Sequence, residues 1–247
     1  MELSGKVGIV TGASAGIGAV LARALSEQGV RVALAARRRE KLEEIAKECP
    51  NETLPVRCDV TQDKDRKTLV EETLRRWGRI DILVNNAGIG MYGPIEHASE
   101  ADIRRLFEVN VFAVFFLTQL VIPIMKRQGS GMILNIGSIG GVVAHSANVT
   151  PYVAAKHAVV GFTRGLRRDL EGTGIAVKVV CPQLVYTDFY RKSIGAERMA
   201  GMVERLKDRM DTPEEVVQGI FAQLSSDEVV IFPTGKSRKA YELFRDL

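Results

Sequence analysis

Short apolar runs alternate with longer amphipathic stretches from one end of the chain to the other. Residues 7–10, 32–36, 54–58, 82–84, 132–136, 176–180 and 229–232 are almost continuously apolar. A strand with one wet face alternates apolar and polar positions. Runs that do not alternate predict parallel strands covered by helices on both faces. Between them, residues 16–28, 39–48, 63–77 and 101–126, and the stretch around Tyr152, have helical spacing. This succession predicts an α/β fold, a Rossmann-type doubly wound parallel sheet of about seven strands flanked by helices. No repeat and no Pro/Ser-rich linker interrupts residues 1–247, so a single domain is expected. A closed (β/α)8 barrel is the competing architecture. The strand count and a Gly-rich loop after the first strand disfavour it.

Length and composition narrow the class. The chain of 247 residues is 46% hydrophobic, enough for one sizeable core. No apolar run reaches the roughly 18 residues of a membrane span. The longest candidate, 109–125, carries Asn110, Thr118, Gln119 and Pro123 and reads as a buried helix. The N-terminus MELSGKVGIV lacks the pattern of a signal peptide. Cys49, Cys58 and Cys181 are widely spaced and form no Cys-x-x-Cys, which argues against a disulfide framework or a zinc site and for a reducing, cytoplasmic setting. His97, His145 and His157 are scattered, so no metal site is expected. The net charge of +4 suits an anionic ligand or an ordinary solvated surface. No nucleic-acid motif surrounds the basic run at Arg37, so no nucleic-acid partner is expected, and no integral membrane segment.

Two stretches carry chemistry. Thr11-Gly12-Ala13-Ser14-Ala15-Gly16-Ile17-Gly18 joins the first strand to the first helix. Glycines there allow a tight turn, and a helix N-terminus offers free N–H groups and partial positive charge to a phosphate. The spacing G-x-x-x-G-x-G departs from the G-x-G-x-x-G fingerprint, but its position favours dinucleotide binding over a purely structural turn. At the end of the second strand, Ala36 is followed by Arg37 and Arg38, with no carboxylate. An acidic residue there would favour NAD; arginines favour the 2′-phosphate of NADP(H) over NAD(H). The second stretch is Tyr152-Val153-Ala154-Ala155-Lys156. Residues four apart share a helix face. Taken alone, the pair reads equally as a half-buried Tyr beside a snorkelling Lys.

TGASAGIG, Asn85-Asn86-Ala87-Gly88, Asn110, Ser138 and the Tyr152–Lys156 pair together resemble the short-chain dehydrogenase/reductase (SDR) family, in order and over nearly the whole chain. The resemblance implies a catalytic tetrad of Asn110, Ser138, Tyr152 and Lys156. It implies a dinucleotide held by Gly12, Ser14, Gly16, Ile17 and Gly18, by Asp59 and Val60 at the adenine, and by Asn86, Ala87 and Gly88. Tyr152 and Lys156 would also border the cofactor, as would Pro182, Gln183, Val185 and Thr187. In this reading Tyr152 passes a proton to or from the substrate oxygen, and Ser138 polarises that oxygen. Lys156 holds the nicotinamide ribose and lowers the phenol pKa from near 10. Asn110 would interrupt its helix and hold a water in a proton relay. Two departures stand out. Ser138 and Tyr152 are one residue further apart than is common in the family, and Cys181-Pro182-Gln183 stands where Pro-Gly is common.

The expected substrate is a small, hydrophobic carbonyl compound or alcohol. Its walls would come from residues 89–94, 140–149 and the loop 186–210, which carry Met91, Tyr92, Val142, Val143, Leu184, Tyr186, Phe189, Tyr190 and Met202. These side chains would either face a ligand or pack on one another as a lid. The resemblance also implies a homo-oligomer, dimer or tetramer, built on the helices near 101–126 and 152–170. Residues 236–247 read as an amphipathic C-terminal helix, with Ala240, Leu243, Phe244 and Leu247 on one face, ranked to pack first on its own body, then on a subunit, then on a membrane. The alternative from another functional class is a non-catalytic dinucleotide-binding sensor or scaffold on the same fold.

Overall fold

The computed structural model describes residues 2–246. Its strands are β1 (Val7–Thr11), β2 (Arg31–Ala36), β3 (Thr53–Arg57), β4 (Ile82–Asn85), β5 (Gly131–Ile136), β6 (Ile175–Val180) and β7 (Val230–Ile231). They form one open, parallel, 7-stranded sheet in the order β3-β2-β1-β4-β5-β6-β7. Open edges at β3 and β7 rule out the closed barrel. The connections reverse direction between β1 and β4, and in such sheets ligands settle beyond the strand ends at that switch point.

The helices are α1 (Gly16–Glu27), α2 (Arg39–Glu48), α3 (Asp63–Trp77), α4 (Glu100–Phe107), α5 (Ala113–Gln128), α6 (Thr150–Asp169), α7 (Ala200–Leu206), α8 (Pro213–Gln223) and α9 (Gly235–Phe244). The strands bury both faces by alternation. Val10, Val84 and Leu134 are in register and pack with Leu21 and Leu25 of α1 and Ile220 of α8. One residue earlier, Ile9, Leu83 and Ile133 pack on the opposite face with Leu69 of α3 and Leu117 and Val121 of α5. Each such fully buried Leu or Ile contributes roughly 1.5–3 kcal/mol.

The boundaries expected from the apolar pattern hold within a few residues. Helix α6 starts at Thr150 with Pro151 in its first turn, where proline's missing N–H costs nothing. The long helix expected over 101–126 is divided. A π-helical turn, Glu108–Phe112, separates α4 from α5 and has Asn110 at its centre. By length and composition the continuous stretch Glu100–Gln128 could cross a membrane. Here Leu117, Val121 and Met125 bury it against the sheet, making it a core helix. Helix α8 carries a legible start signal, a reciprocal cap between Thr212 and Glu215 with Pro213 following. α9 lies on its own chain, with Ala240, Tyr241 and Phe244 against the core and Leu243 exposed. Leu247 lies outside the described residues.

Candidate active site

A cleft of about 1100 Å³ opens at the carboxyl ends of β1, β2, β4, β5 and β6. The glycine-rich turn forms one wall. Gly12 and Gly16 have φ of +65° and +56°, a region that L side chains rarely adopt. A Cβ on Gly12 would also come 2.8 Å from Asn86 Nδ2. Gly18 serves packing instead of the cleft: a Cβ there would meet Asn86 Nδ2 at 2.3 Å and the Gly12 carbonyl oxygen at 2.5 Å. Gly18 is not among the residues that line the cleft; the missing side chain lets helix α1 approach Gly12 and Asn86. Ser14, Gly16, Ile17, Arg37, Arg38, Asp59 and Val60 do line the cleft. Arg37 and Arg38 are exposed, and Arg38 Nη2 donates to Ser14 Oγ at 3.3 Å. Asp59 Oδ1 accepts from the Thr61 N–H and hydroxyl, which fixes its turn.

Buried polar groups hold the switch point rigid. Thr11 Oγ1 donates to the Val84 carbonyl and accepts from the N–H groups of Asn86 and Ala87. Asn86 Nδ2 donates back to the Thr11 carbonyl at 2.9 Å. Behind them, Asn85 Nδ2 donates to Thr118 Oγ1 (3.0 Å) and Asn135 Oδ1 (2.8 Å), and Asn135 Nδ2 donates to Thr163 Oγ1 (2.9 Å). This chain ties β4 and β5 to α5 and α6. Sequence reasoning singled out none of Thr11, Thr118, Asn135 and Thr163 as site supports. Polar residues inside apolar strand and helix runs were their signal.

Ser138, Tyr152 and Lys156 converge on the floor of the cleft. Ser138 follows β5 and caps the short 3₁₀ turn Ile139–Gly141, its Oγ accepting from the Gly140 N–H at 3.1 Å. Lys156 is 6% exposed, and its Nζ donates to the Ile136 carbonyl at 2.9 Å. That Nζ lies 5.8 Å from the Tyr152 ring centre. Burial draws the Lys156 ammonium down to about 8. Tyr152 exposes part of its surface to the cleft, yet burial still pushes its phenol up to about 12, partly offset by the Ser138 hydroxyl. The expected lowering by Lys156 is thus reversed. Removing a phenolate from water is the larger effect, and the hydrogen bond with Ser138 offsets only part of it. Asn110 does not line the cleft. Its carboxamide clamps the Ile89 backbone, accepting from the N–H (2.9 Å) and donating to the C=O (2.8 Å). Both ends serve the loop after β4, and the π-helical turn around Asn110 is the helix interruption expected there. Gly88 packs beside it, where a Cβ would be 3.3 Å from Asn110 Oδ1 and 3.9 Å from Lys156 Nζ.

The far wall joins segments distant in sequence. Pro182, Gln183, Val185 and Thr187 line it, and Thr187 sits against Gly16. Gly90 N–H donates to Ser193 Oγ, and Met91 pairs with Ile194. Tyr92, Tyr190, Met199 and Met210 form an apolar cluster with Leu184, Phe189 and Met202. Tyr92, Leu184, Phe189, Tyr190, Met199 and Met202 also line the cleft, so this cluster packs on itself and presents an apolar underside; Met91, Val142 and Tyr186, expected beside them, do not line it. Phe189 stands edge-on to Tyr152 at 6.1 Å. His145 lines the cleft, while His157 is exposed on α6. Among the described residues, no three His, Cys, Asp or Glu side chains gather where a metal ion could be held.

An open doubly wound sheet with a glycine turn after β1 and a Ser–Tyr–Lys group lining the same cleft defines a dinucleotide-type oxidoreductase architecture. The profile of the family described as short chain dehydrogenase matches residues 6–198. The chain belongs to the short-chain dehydrogenase/reductase family of oxidoreductases. It is 34% identical over 231 residues to a 3-oxoacyl-[acyl-carrier-protein] reductase FabG of Thermotoga maritima, covering 92% of this chain and 93% of that protein. It is 36% identical to an L-fucose dehydrogenase of Bos taurus, covering 86% and 80%. A short-chain dehydrogenase/reductase from Burkholderia phymatum, solved in complex with NAD, superposes with a TM-score of 0.88 at 25% identity, covering 98% and 94%.

Proposed function

We propose that this chain is an NADP(H)-preferring oxidoreductase that interconverts a carbonyl and a secondary alcohol, with Tyr152 as the general acid and base. The observation that carries this reading is the meeting of Ser138, Tyr152 and a buried Lys156, its Nζ 5.8 Å from the Tyr152 ring centre, in the cleft that the glycine-rich turn also lines. A nicotinamide dinucleotide supplies or accepts the hydride when bound. Gly12, Ser14, Gly16 and Ile17 would hold its phosphates, Asp59 and Val60 its adenine, and Asn86, Ala87, Gly88, Pro182, Gln183, Val185 and Thr187 its remaining length. Arg37 and Arg38 would clamp a 2′-phosphate, since no carboxylate follows β2 to prefer a free hydroxyl. The solved relative from Burkholderia phymatum holds NAD, so this preference is the part of the reading most exposed to test.

In reduction, Ser138 Oγ donates to the substrate oxygen and polarises it, and Tyr152 delivers the proton. Lys156 stabilises the phenolate that remains, because its ammonium is charged below about pH 8. In oxidation the same groups run in reverse. Asn110 contributes through Ile89 and Gly88, fixing the loop next to Lys156. The apolar underside formed by Tyr92, Leu184, Phe189 and Met202 favours a hydrophobic ketone, aldehyde or secondary alcohol. We read residues 1–247 as one dinucleotide-binding and catalytic unit that works as a homo-oligomer in a reducing, cytoplasmic setting; its three cysteines are free.

Titration with NADPH and NADH, followed by nicotinamide fluorescence, tests the cofactor half of the reading. NADPH should bind more tightly, and Arg37→Ala should erase roughly tenfold of that preference, the scale of a charge-assisted contact. Equal or tighter NADH binding would make Arg37 a surface residue and turn the reading toward an NAD-linked enzyme.

A further inference from the structure

Helix α9 is fastened at both ends to parts of the cleft. At its start, Thr234 and Ser237 cap one another, each hydroxyl accepting from the other's backbone N–H. Thr234 Oγ1 also donates to Asp211 Oδ2 at 2.7 Å, and Lys236 Nζ meets Asp211 Oδ1 at 3.1 Å. Asp211 is only 2% exposed, so its carboxylate depends on these two partners from the C-terminal segment. The Asp211 backbone in turn holds the wall after β6. Its N–H donates to the Leu184 carbonyl and its carbonyl accepts from the Tyr186 N–H, both at 2.8 Å.

The far end of α9 reaches the other wall. The Phe244 ring stacks on His145 at 4.5 Å and 10° between planes. His145 lines the cleft in the loop after Ser138. In the middle, Ala240 is buried in the cluster that contains Ile139 and Val143, and Tyr241 stacks on Phe232 at 4.7 Å. The loop over 140–149 has few internal ties. It includes Asn148, a non-glycine residue at φ +61°, a strained conformation that persists only where its surroundings hold it.

We propose that α9 is a brace that sets the distance between the two substrate walls, so that Phe244 and Lys236 are positioning residues for substrate selectivity. Phe244 acts through His145 on the loop after β5, and Lys236 acts through Asp211 on Leu184 and Tyr186. The inference rests on the reading of the cleft as a carbonyl-reducing site, but its physical core, a two-point tie on the cleft walls, can be measured without turnover.

The test compares the wild type with Phe244→Ala, Lys236→Gln and Phe244→Tyr, and with Leu243→Ala as a control on the solvent face of the same helix. Hydrogen exchange is followed over 140–149 and 184–186, with steady-state kinetics on methyl ketones from butanone to decanone with NADPH. Phe244→Ala should speed exchange over 140–149 and raise KM for the longer ketones roughly fivefold, the scale of a lost aromatic pair. It should leave kcat and NADPH affinity unchanged. Lys236→Gln should speed exchange over 184–186. Phe244→Tyr should restore wild-type values, and Leu243→Ala should change nothing. Unchanged exchange over 140–149 with an unchanged KM series in Phe244→Ala would overturn the brace. If the wild type reduced no ketone, the reductase reading would fall, and the exchange comparison would still decide the brace.

Discussion

In the proposed reaction, Lys156 is the side chain on which the chemistry turns. Its ammonium sits 6% exposed and keeps one hydrogen bond, to the Ile136 carbonyl. Burial lowers its pKa to about 8 and raises that of Tyr152 to about 12. The sign of the pH effect follows from which form each step needs. Reduction needs the phenol protonated and the ammonium charged. Below about 8 both conditions hold; above it Lys156 loses its proton first. The kcat/KM for ketone reduction should therefore be flat through neutral pH and fall above about 8, whereas oxidation of the matching alcohol, which needs the phenolate beside a charged ammonium, should rise with pH up to about 8 and then level off. A reductive profile flat to pH 10 would show that Lys156 charge is not needed. The Tyr152–Lys156 pair was legible because four residues make one helical turn. The direction of the phenol shift was not, since burial belongs to the folded chain and not to the pentapeptide.

The elements that carry these residues depend on buried polar links between them. Asn135 is wholly buried, accepts from Asn85 and donates to Thr163, joining β4, β5 and α6. Asn135→Ala leaves Asn85 one acceptor short and should cost about 1–3 kcal/mol in urea unfolding. No loss of stability would mean that the chain is dispensable. Gly18→Ala tests the seat of α1. The new Cβ would collide with Asn86 and the Gly12 carbonyl, and overpacking of this kind costs about 1–3 kcal/mol. It should also weaken dinucleotide binding, because Asn86 pins the turn. Strands and helices were legible from apolar spacing, and the break at Asn110 followed from the family resemblance. Links such as Asn85–Asn135, 50 positions apart, were not legible because residue pairing across a sheet requires its order.

At the scale of the molecule, the substrate end is the least legible part. Its walls join residues as far apart as Gly90 and Ser193, 103 positions along the chain. Loop identity therefore says little until the sheet brings the loops together. The outer face of the long helix region shows Phe112 and Phe116 stacked at 6.2 Å and exposed at 40% and 44%. Aromatic area of this kind on the helices expected at an interface predicts self-association. Sedimentation at micromolar concentration should give a dimer or tetramer, and Phe116→Glu should shift it toward smaller species. A wild-type monomer would remove the oligomer from the account.

The central claim is that Tyr152 is the proton donor of a dinucleotide-linked carbonyl reduction. The most direct measurement is turnover and NADPH affinity for Tyr152→Phe beside the wild type. Loss of one general acid should lower kcat by at least about a hundredfold, with dinucleotide affinity retained because the ring and its packing remain. Near-normal turnover in Tyr152→Phe would contradict the account.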